Sequence, residues 1–354
     1  MQPDITTVRE GIFPWVPYFG AEAPQRRRGF RVAVDADDRH TMHATAGIHH
    51  VTSIASDPQR NVDFYTDVLG LRLVKRTVNF DDKFTYHLYY GDEVGTPGTA
   101  LTFFPFGNGT PGRVGRGQPS AAAFVVPPES VDYWLDRLDS AGVDRGDPVE
   151  RFGETVVPFT DHDGQPLELV TGESDVEPWR GGPVPAEHGV RGFHGVTLDS
   201  LDPERTGEIL ELLGYERVDA AGERTRYRAA SDRAAVVDVL DRPDAERGRE
   251  GVGTVHHVAI RAPDEATQMA WREALVDAGL NVTPQKDRQY FQSVYTRDPG
   301  GILFEIATDG PGFTRDESVE ELGSSLQLPP WLAEDREMIE GQLPPLDGGT
   351  METN

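Results

Sequence analysis

Two stretches of this chain, "GIHHVTSIASD" at 47–57 and "TVHHVAIRAPD" at 254–264, each set two histidines side by side. Together they hold four of the ten histidines in the sequence. Neutral imidazole is the commonest metal ligand among side chains, and it also exchanges a proton near neutral pH. The sequence has no cysteine, so a bound metal has only His, Asp and Glu to hold it. Carboxylates end two similar runs, "DHDGQPLE" at 161–168 and "DPGGILFE" at 298–305. An acid inside an apolar run such as "GGILFEIAT" is costly to bury unless it is paired or bound to metal.

Aligning these runs assigns the ligands. His49 matches His256 and, in "RGFHGVT", His194, while His50 matches His257 and Gly195. A further copy offers Ala123 and Phe124 at the same places. Glu305 is equivalent to Glu168, Asp238 lies near the same position in "AAVVDVLD", and no Asp or Glu occurs from Val94 to Pro128. The set that completes a metal site is His50, His257 and Glu305. Two neutral imidazoles and one carboxylate, with no fourth protein ligand, form the facial triad that leaves positions open on Fe(II) for substrate and dioxygen. Successive strand residues face opposite sides of a sheet. One histidine of each pair therefore faces the metal, and its neighbour, His49 or His256, serves as a hydrogen-bonding or proton-transfer group. The competing reading makes the pairs ordinary strand residues and Glu305 an edge-strand carboxylate. Two copies at equivalent repeat positions with a matching Glu favour the metal site. Glu168, with no histidine in its own repeat, reads as a salt-bridge member, and His194 as a core residue.

The elements that must position these groups come from a fourfold repeat. Each copy opens with a β-rich run and continues into a helix that stops at glycine. The helices start at Asp57-Pro58, Pro127-Pro128, Asp202-Pro203 and Pro263-Asp264 and stop at Gly70, Gly142, Gly214 and Gly279. Their apolar stripes include Val62 and Tyr65 in the first, Trp134 and Leu138 in the second, Ile209 and Leu210 in the third, and Met269, Leu275 and Val276 in the fourth. Short strands follow each helix, with Asp-Pro-Gly-Gly at 298–301 as a hairpin turn. The unit is βαβββ and the class α+β, with four modules pairing into two curved half-barrel sheets around a shared cleft. The expected divisions are an extension at 1–45, modules one and two at 46–175, modules three and four at 190–310, and a tail at 311–354.

Composition narrows the partners. With 354 residues the chain is large enough for one large or two ordinary domains. Its net charge of -26 excludes nucleic acid and anionic membrane surfaces as partners, because phosphate binding needs clustered Lys and Arg. Three lysines against 60 acidic residues point to adaptation to high salt, where repulsion between carboxylates is screened. The N-terminus lacks a signal-peptide pattern and no apolar run reaches membrane-spanning length, so the expected location is cytoplasmic. A homo-oligomer is compatible with the sequence, which leaves that point open.

The sequence resembles the vicinal oxygen chelate superfamily of glyoxalases, bleomycin resistance proteins and extradiol dioxygenases, and within it the hydroquinone-type ring-cleaving dioxygenases. The matching stretches run from "GIHHVTSIASDPQRNVDFYTDVLGLRLVKRTVNFD" through "RGFHGVT" and "TVHHVAI" to "RQYFQSVYTRDPGGILFEIATDGPGFTRDE" and "LGSSLQLPPWLAEDREMIE". The resemblance implies Fe(II), or less often Mn(II), on His50, His257 and Glu305, with His49, Thr52, His256, Arg288 and Tyr295 around the substrate. It further implies a small aromatic diol and O2 as reactants, in a non-haem ring-cleaving oxidoreductase. Tyr295 would hydrogen-bond the coordinated oxygen, His256 or His49 would act as acid or base, and Arg288 would stabilise negative charge. Gly195 agrees with a group that takes one histidine from its first module, unlike the better-known catechol enzymes. Two other functions fit the same fold: a glyoxalase-like metal-dependent isomerase or lyase, and a non-catalytic small-molecule-binding protein. The first needs a second carboxylate ligand, which the run from Val94 to Pro128 lacks, and the second needs no triad.

Overall fold

The computed structural model of the chain describes residues 45–347. The expected extension at 1–45 therefore lies outside the described residues, apart from its last one. The first module contributes β1 (Ile48–Ala55), α1 (Pro58–Asp63), β2 (Arg72–Asn79), β3 (Asp82–Gly91) and β4 (Ala100–Pro105). The second contributes β5 (Gln118–Val126), α2 (Val131–Ser140), β6 (Val149–Arg151), β7 (Glu154–Thr160) and β8 (Pro166–Thr171). The third contributes β9 (Phe193–Asp199), α3 (Pro203–Leu212), β10 (Glu216–Ala221), β11 (Arg224–Arg228) and β12 (Val236–Leu240). The fourth contributes β13 (Thr254–Ala262), α4 (Glu265–Asp277), β14 (Lys286–Asp287), β15 (Phe291–Arg297) and β16 (Leu303–Pro311).

Local chemistry sets the helix ends. The carboxylates of Asp57, Asp202 and Asp264 accept from the backbone N–H groups of Arg60, Arg205 and Thr267, at 2.9, 3.2 and 2.8 Å. Gly70, Gly142, Gly214 and Gly279 all take positive φ after their helices, which is the conformation that ends a helix and that other residues adopt at a cost. The inward face of α4 differs from the expected stripe: Thr267, Gln268, Trp271 and Leu275 are buried, and Val276 is exposed. Gln268 explains the rotation, because its side-chain N–H groups donate to the carbonyls of Gln292 and Ile306 at 2.8 and 2.7 Å. This polar anchor fixes α4 against β15 and β16, one residue from Glu305.

Each module pairs its last strand in parallel beside its first, and the first strands of two modules join antiparallel. One eight-stranded sheet runs β14-β15-β16-β13-β1-β4-β3-β2, and the other runs β10-β11-β12-β9-β5-β8-β7-β6. Module one thus joins module four and module two joins module three, so each sheet draws on both 46–175 and 190–310. The result is two curled half-barrel sheets with few helices, the α+β class anticipated. The seams are apolar: Ile48, Val51, Val258, Ile260, Phe304 and Ile306 are buried along the first sheet. The tail wraps back on module one, where wholly buried Lys75 pairs with Asp316 at 2.7 Å and with Glu317. Lys83 meets Asp335 at 2.6 Å and Trp331 packs on the ring of Phe80.

The hairpin that leads into β16 carries a buried acid. Asp298 accepts from the Ile302 N–H at 2.7 Å and the Thr206 hydroxyl at 2.5 Å, yet burial lifts its carboxyl to about 6. The folded state thus holds this proton between about pH 4 and 6, where the unfolded chain has released it. Stability from this group is fully present below about pH 4 and is lost as pH rises through 6. Asp298→Asn should therefore gain on the parent chain by up to roughly 3 kcal/mol between pH 4 and pH 7, read from urea unfolding at both values.

Candidate metal centre

The seam between β1 and β13 contains two irregularities that the sequence did not disclose. Ile48 pairs with Ile260 and His50 with Ala259, so the ladder skips His49. Thr52 pairs with His257 and Ser53 with Val255, so it skips His256 as well. Both skipped residues are β-bulges, one on each strand, and a bulge re-aims the side chains beside it. The expected opposite orientation within each pair therefore gives way to ring-to-ring contact. His49 Nδ1 lies 2.9 Å from His50 Nδ1, and His256 Nδ1 lies 2.7 Å from His257 Nδ1.

Beyond these contacts the second ring nitrogens of His50 and His257 converge on Glu305. Glu305 Oε2 is 2.8 Å from His257 Nε2 and 3.3 Å from His50 Nε2, and the two Nε2 atoms are 3.4 Å apart. All three side chains are buried, and the three candidate ligand atoms lie within 4.8 Å of one another. Ser293 donates its hydroxyl to Glu305 Oε1, while Oε2 has no well-directed donor although it is buried. Burial brings His257 down to about 4, so its ring is neutral at pH 7. For Glu305 burial acts upward, but the His50 and His257 imidazoles outweigh it and hold the carboxyl well below the usual range. An imidazole that donates its Nδ1 proton to the neighbouring ring turns its Nε2 lone pair toward the cavity. Two such lone pairs and an under-satisfied carboxylate oxygen fit a divalent cation. Among the described residues this is the one group of three or more such side chains close enough to share an ion.

The surrounding cavity is lined by Phe80, Phe104, Phe106 and Phe291, with His87, His256, Arg288 and Tyr295 as polar members. Arg288 Nε donates to the Tyr295 hydroxyl at 3.1 Å, and Arg288 Nη2 donates to Asp81 at 2.8 Å. Burial raises the Tyr295 phenol well above its ordinary value, though Arg288 pulls it the other way, so it is protonated at neutral pH. His49 lies behind His50 against Phe291 and is held well below the usual histidine range, first by burial and then by His50. Burial also lowers His256. Thr52 is buried and does not line the cavity; its hydroxyl bonds Thr102 at 2.8 Å.

The second sheet holds the corresponding positions with other chemistry. Arg151 grips Glu168 with two bonds of 2.7 and 2.9 Å. Arg226 grips Asp238 similarly at 2.8 and 3.0 Å, joined by Arg224, and His194 contacts Glu154 at 2.9 Å. Guanidinium groups occupy the place a cation would take. The ladder also corrects one alignment: Glu305 pairs with Ala259 and Glu168 with Ala123, so the counterpart of His257 in module two is Ala121, rather than Phe124. Asp81, His87, Thr102 and Ser293 were not picked out from sequence. Asp81 sits in a turn and the others lie in ordinary-looking strands, without repeated copies to mark them.

This geometry predicts one divalent ion per chain by elemental analysis, lost in Glu305→Gln and unchanged in Glu168→Gln. His49→Phe keeps the bulk but removes the bond to His50 Nδ1, and should weaken metal affinity by about 10–100-fold in a competition titration with a chelator.

Comparison with known proteins identifies the family of the chain. The family model described as Glyoxalase/Bleomycin resistance protein/Dioxygenase superfamily matches residues 47–169 and 187–306. The chain is 46% identical over 305 residues to "Putative ring-cleaving dioxygenase MhqO" of Bacillus subtilis, covering 86% of this chain and 97% of that one. It is 36% identical over 296 residues to the chlorohydroquinone/hydroquinone 1,2-dioxygenase of Sphingobium indicum, covering 81% and 92% of the two. A crystal structure of a "putative dioxygenase" from Bacillus subtilis superposes with a TM-score of 0.83 at 46% identity, over 86% of this chain and 98% of that one. The chain belongs to the glyoxalase, bleomycin resistance protein and dioxygenase superfamily.

Proposed function

We propose that the protein is a ring-cleaving dioxygenase acting on small aromatic diols of the hydroquinone type, with Fe(II), or alternatively Mn(II), on His50, His257 and Glu305. The observation that carries this reading is the ligand set itself, two buried imidazoles and one carboxylate with no fourth protein ligand among the described residues. A redox-active divalent ion bound there supplies Lewis acidity toward the diol and a path for electrons between ring and dioxygen. The names of the relatives, which include a hydroquinone dioxygenase, support the same class of reaction.

The chain's own residues supply the remainder. Phe80, Phe104, Phe106 and Phe291 hold an aromatic ring by its faces and edges and exclude water from the cavity. Tyr295 lines the cavity as a protonated phenol whose oxygen receives the Arg288 Nε–H, which sets the hydroxyl where an oxygen of the substrate can meet it. Arg288 stays cationic throughout and is fixed between Asp81 and Tyr295, so it stabilises negative charge without reorganising. His256 lines the cavity and touches His257 Nδ1, where a neutral ring can take or return a proton.

The test is oxygen uptake by the Fe(II)-loaded protein with a panel of hydroquinones and catechols. Uptake with ring-opened product supports the reading; metal-dependent formation of lactoylglutathione without oxygen uptake contradicts it. Tyr295→Phe should lower kcat by about 10²-fold while metal content stays at the parent level. Full activity in that variant would remove Tyr295 from the chemistry.

A further inference from the structure

The sheet register contains a fourth position that the three ligands leave unused. Straight across the first sheet, Glu305 pairs with Ala259, and Ala259 with His50. In the opposite direction Thr102 pairs with Thr52, and Thr52 with His257. An approximate two-fold axis between β1 and β13 exchanges His50 with His257, and so exchanges Glu305 with Thr102. The second sheet has the same two rows: Glu168, Ala123 and Gly195 in one, and Asp238, Thr197 and Ala121 in the other. There both row ends are carboxylates. The chain therefore already shows that this backbone accommodates an acid at the counterpart of Thr102.

Thr102 is wholly buried and its hydroxyl is committed elsewhere. Thr52 Oγ1 lies 2.8 Å away and His87 Nε2 2.9 Å away, and the His87 Nδ1 shares a further bond of 2.8 Å with the Tyr89 hydroxyl. His87 and Tyr89 line the cavity, so this chain of bonds reaches from Thr102 to the wall of the site. A short side chain whose oxygen is held by two neighbours does not compete for a cation as a carboxylate would.

We infer that Thr102 is the specificity-determining residue that keeps the fourth ligand position of the metal centre open. This inference rests on the dioxygenase reading, since an open position is what substrate and dioxygen require. A carboxylate at residue 102 closes the site and turns a three-ligand centre into a four-ligand one.

The test uses the full chain loaded with Mn(II) alone and reads water-proton relaxation per bound metal, which needs neither substrate nor dioxygen. A six-coordinate ion with three protein ligands keeps three exchangeable positions and one with four keeps two, so relaxivity in Thr102→Glu falls by about one third. Mn(II) affinity in the same variant rises, and oxygen uptake by its Fe(II) form falls by more than about 100-fold. Thr102→Val removes the hydrogen bonds without adding a ligand and keeps the parent relaxivity. If Thr102→Glu does not fold, Thr102→Asp gives the same reading with the side chain of Asp238. Unchanged relaxivity and affinity in the folded, metal-loaded acidic variant overturns the inference. Failure of the parent enzyme to consume oxygen would instead overturn the proposed function and leave the relaxation result to decide the role of Thr102.

Discussion

The antiparallel seam between β1 and β13 is the contact on which the rest of the molecule depends. It joins strands from opposite ends of the repeat, and each brings one cavity-facing imidazole to the same point. Two bulges in that seam cost ladder hydrogen bonds, and they persist because the apolar neighbours on both strands are fully packed. Their return is orientation: His49 and His256 each bring a ring nitrogen to the Nδ1 of the cavity-facing histidine beside it. A regular ladder would have sent His49 and His256 to the other face.

The two sheets show how one architecture resolves the same electrostatic problem in two ways. A buried carboxylate must be neutralised, and replacing its partner with nothing is expensive. In the second sheet Arg151, Arg224 and Arg226 supply fixed guanidinium charge to Glu168 and Asp238, which makes those positions structural. In the first sheet Glu305 meets the imidazoles of His50 and His257 instead, and its Oε2 has no well-directed donor. The duplicated fold thus holds one set of carboxylates neutralised by guanidinium groups and one carboxylate left among imidazoles, as the proposed metal centre requires.

Much of this was legible in the residues. The helix stops at Gly70, Gly142, Gly214 and Gly279 marked the repeat because positive φ has a strong residue preference. Equivalent positions within the repeat then brought out His50, His257 and Glu305, far apart in sequence and adjacent in space. Register was not legible: no local signal says that the ladder skips His49 and His256, since a bulge is a property of two strands together. The inward face of α4 was misplaced for a related reason, because Gln268 bonds two strand carbonyls and so overrides the apolar pattern that favoured Val276. Asp81, in a turn, and His87 and Thr102, in strands, meet partners on other elements and carry no signature within their own.

The central claim is that a single cation binds between modules one and four, on two imidazoles and one carboxylate. Anomalous diffraction from crystals of the Mn(II)- or Fe(II)-loaded protein tests it directly. The account predicts one strong peak per chain, in contact with Nε2 of His50, Nε2 of His257 and an oxygen of Glu305, and with no other side chain. A peak elsewhere, or one ligated by a further protein group, would contradict it.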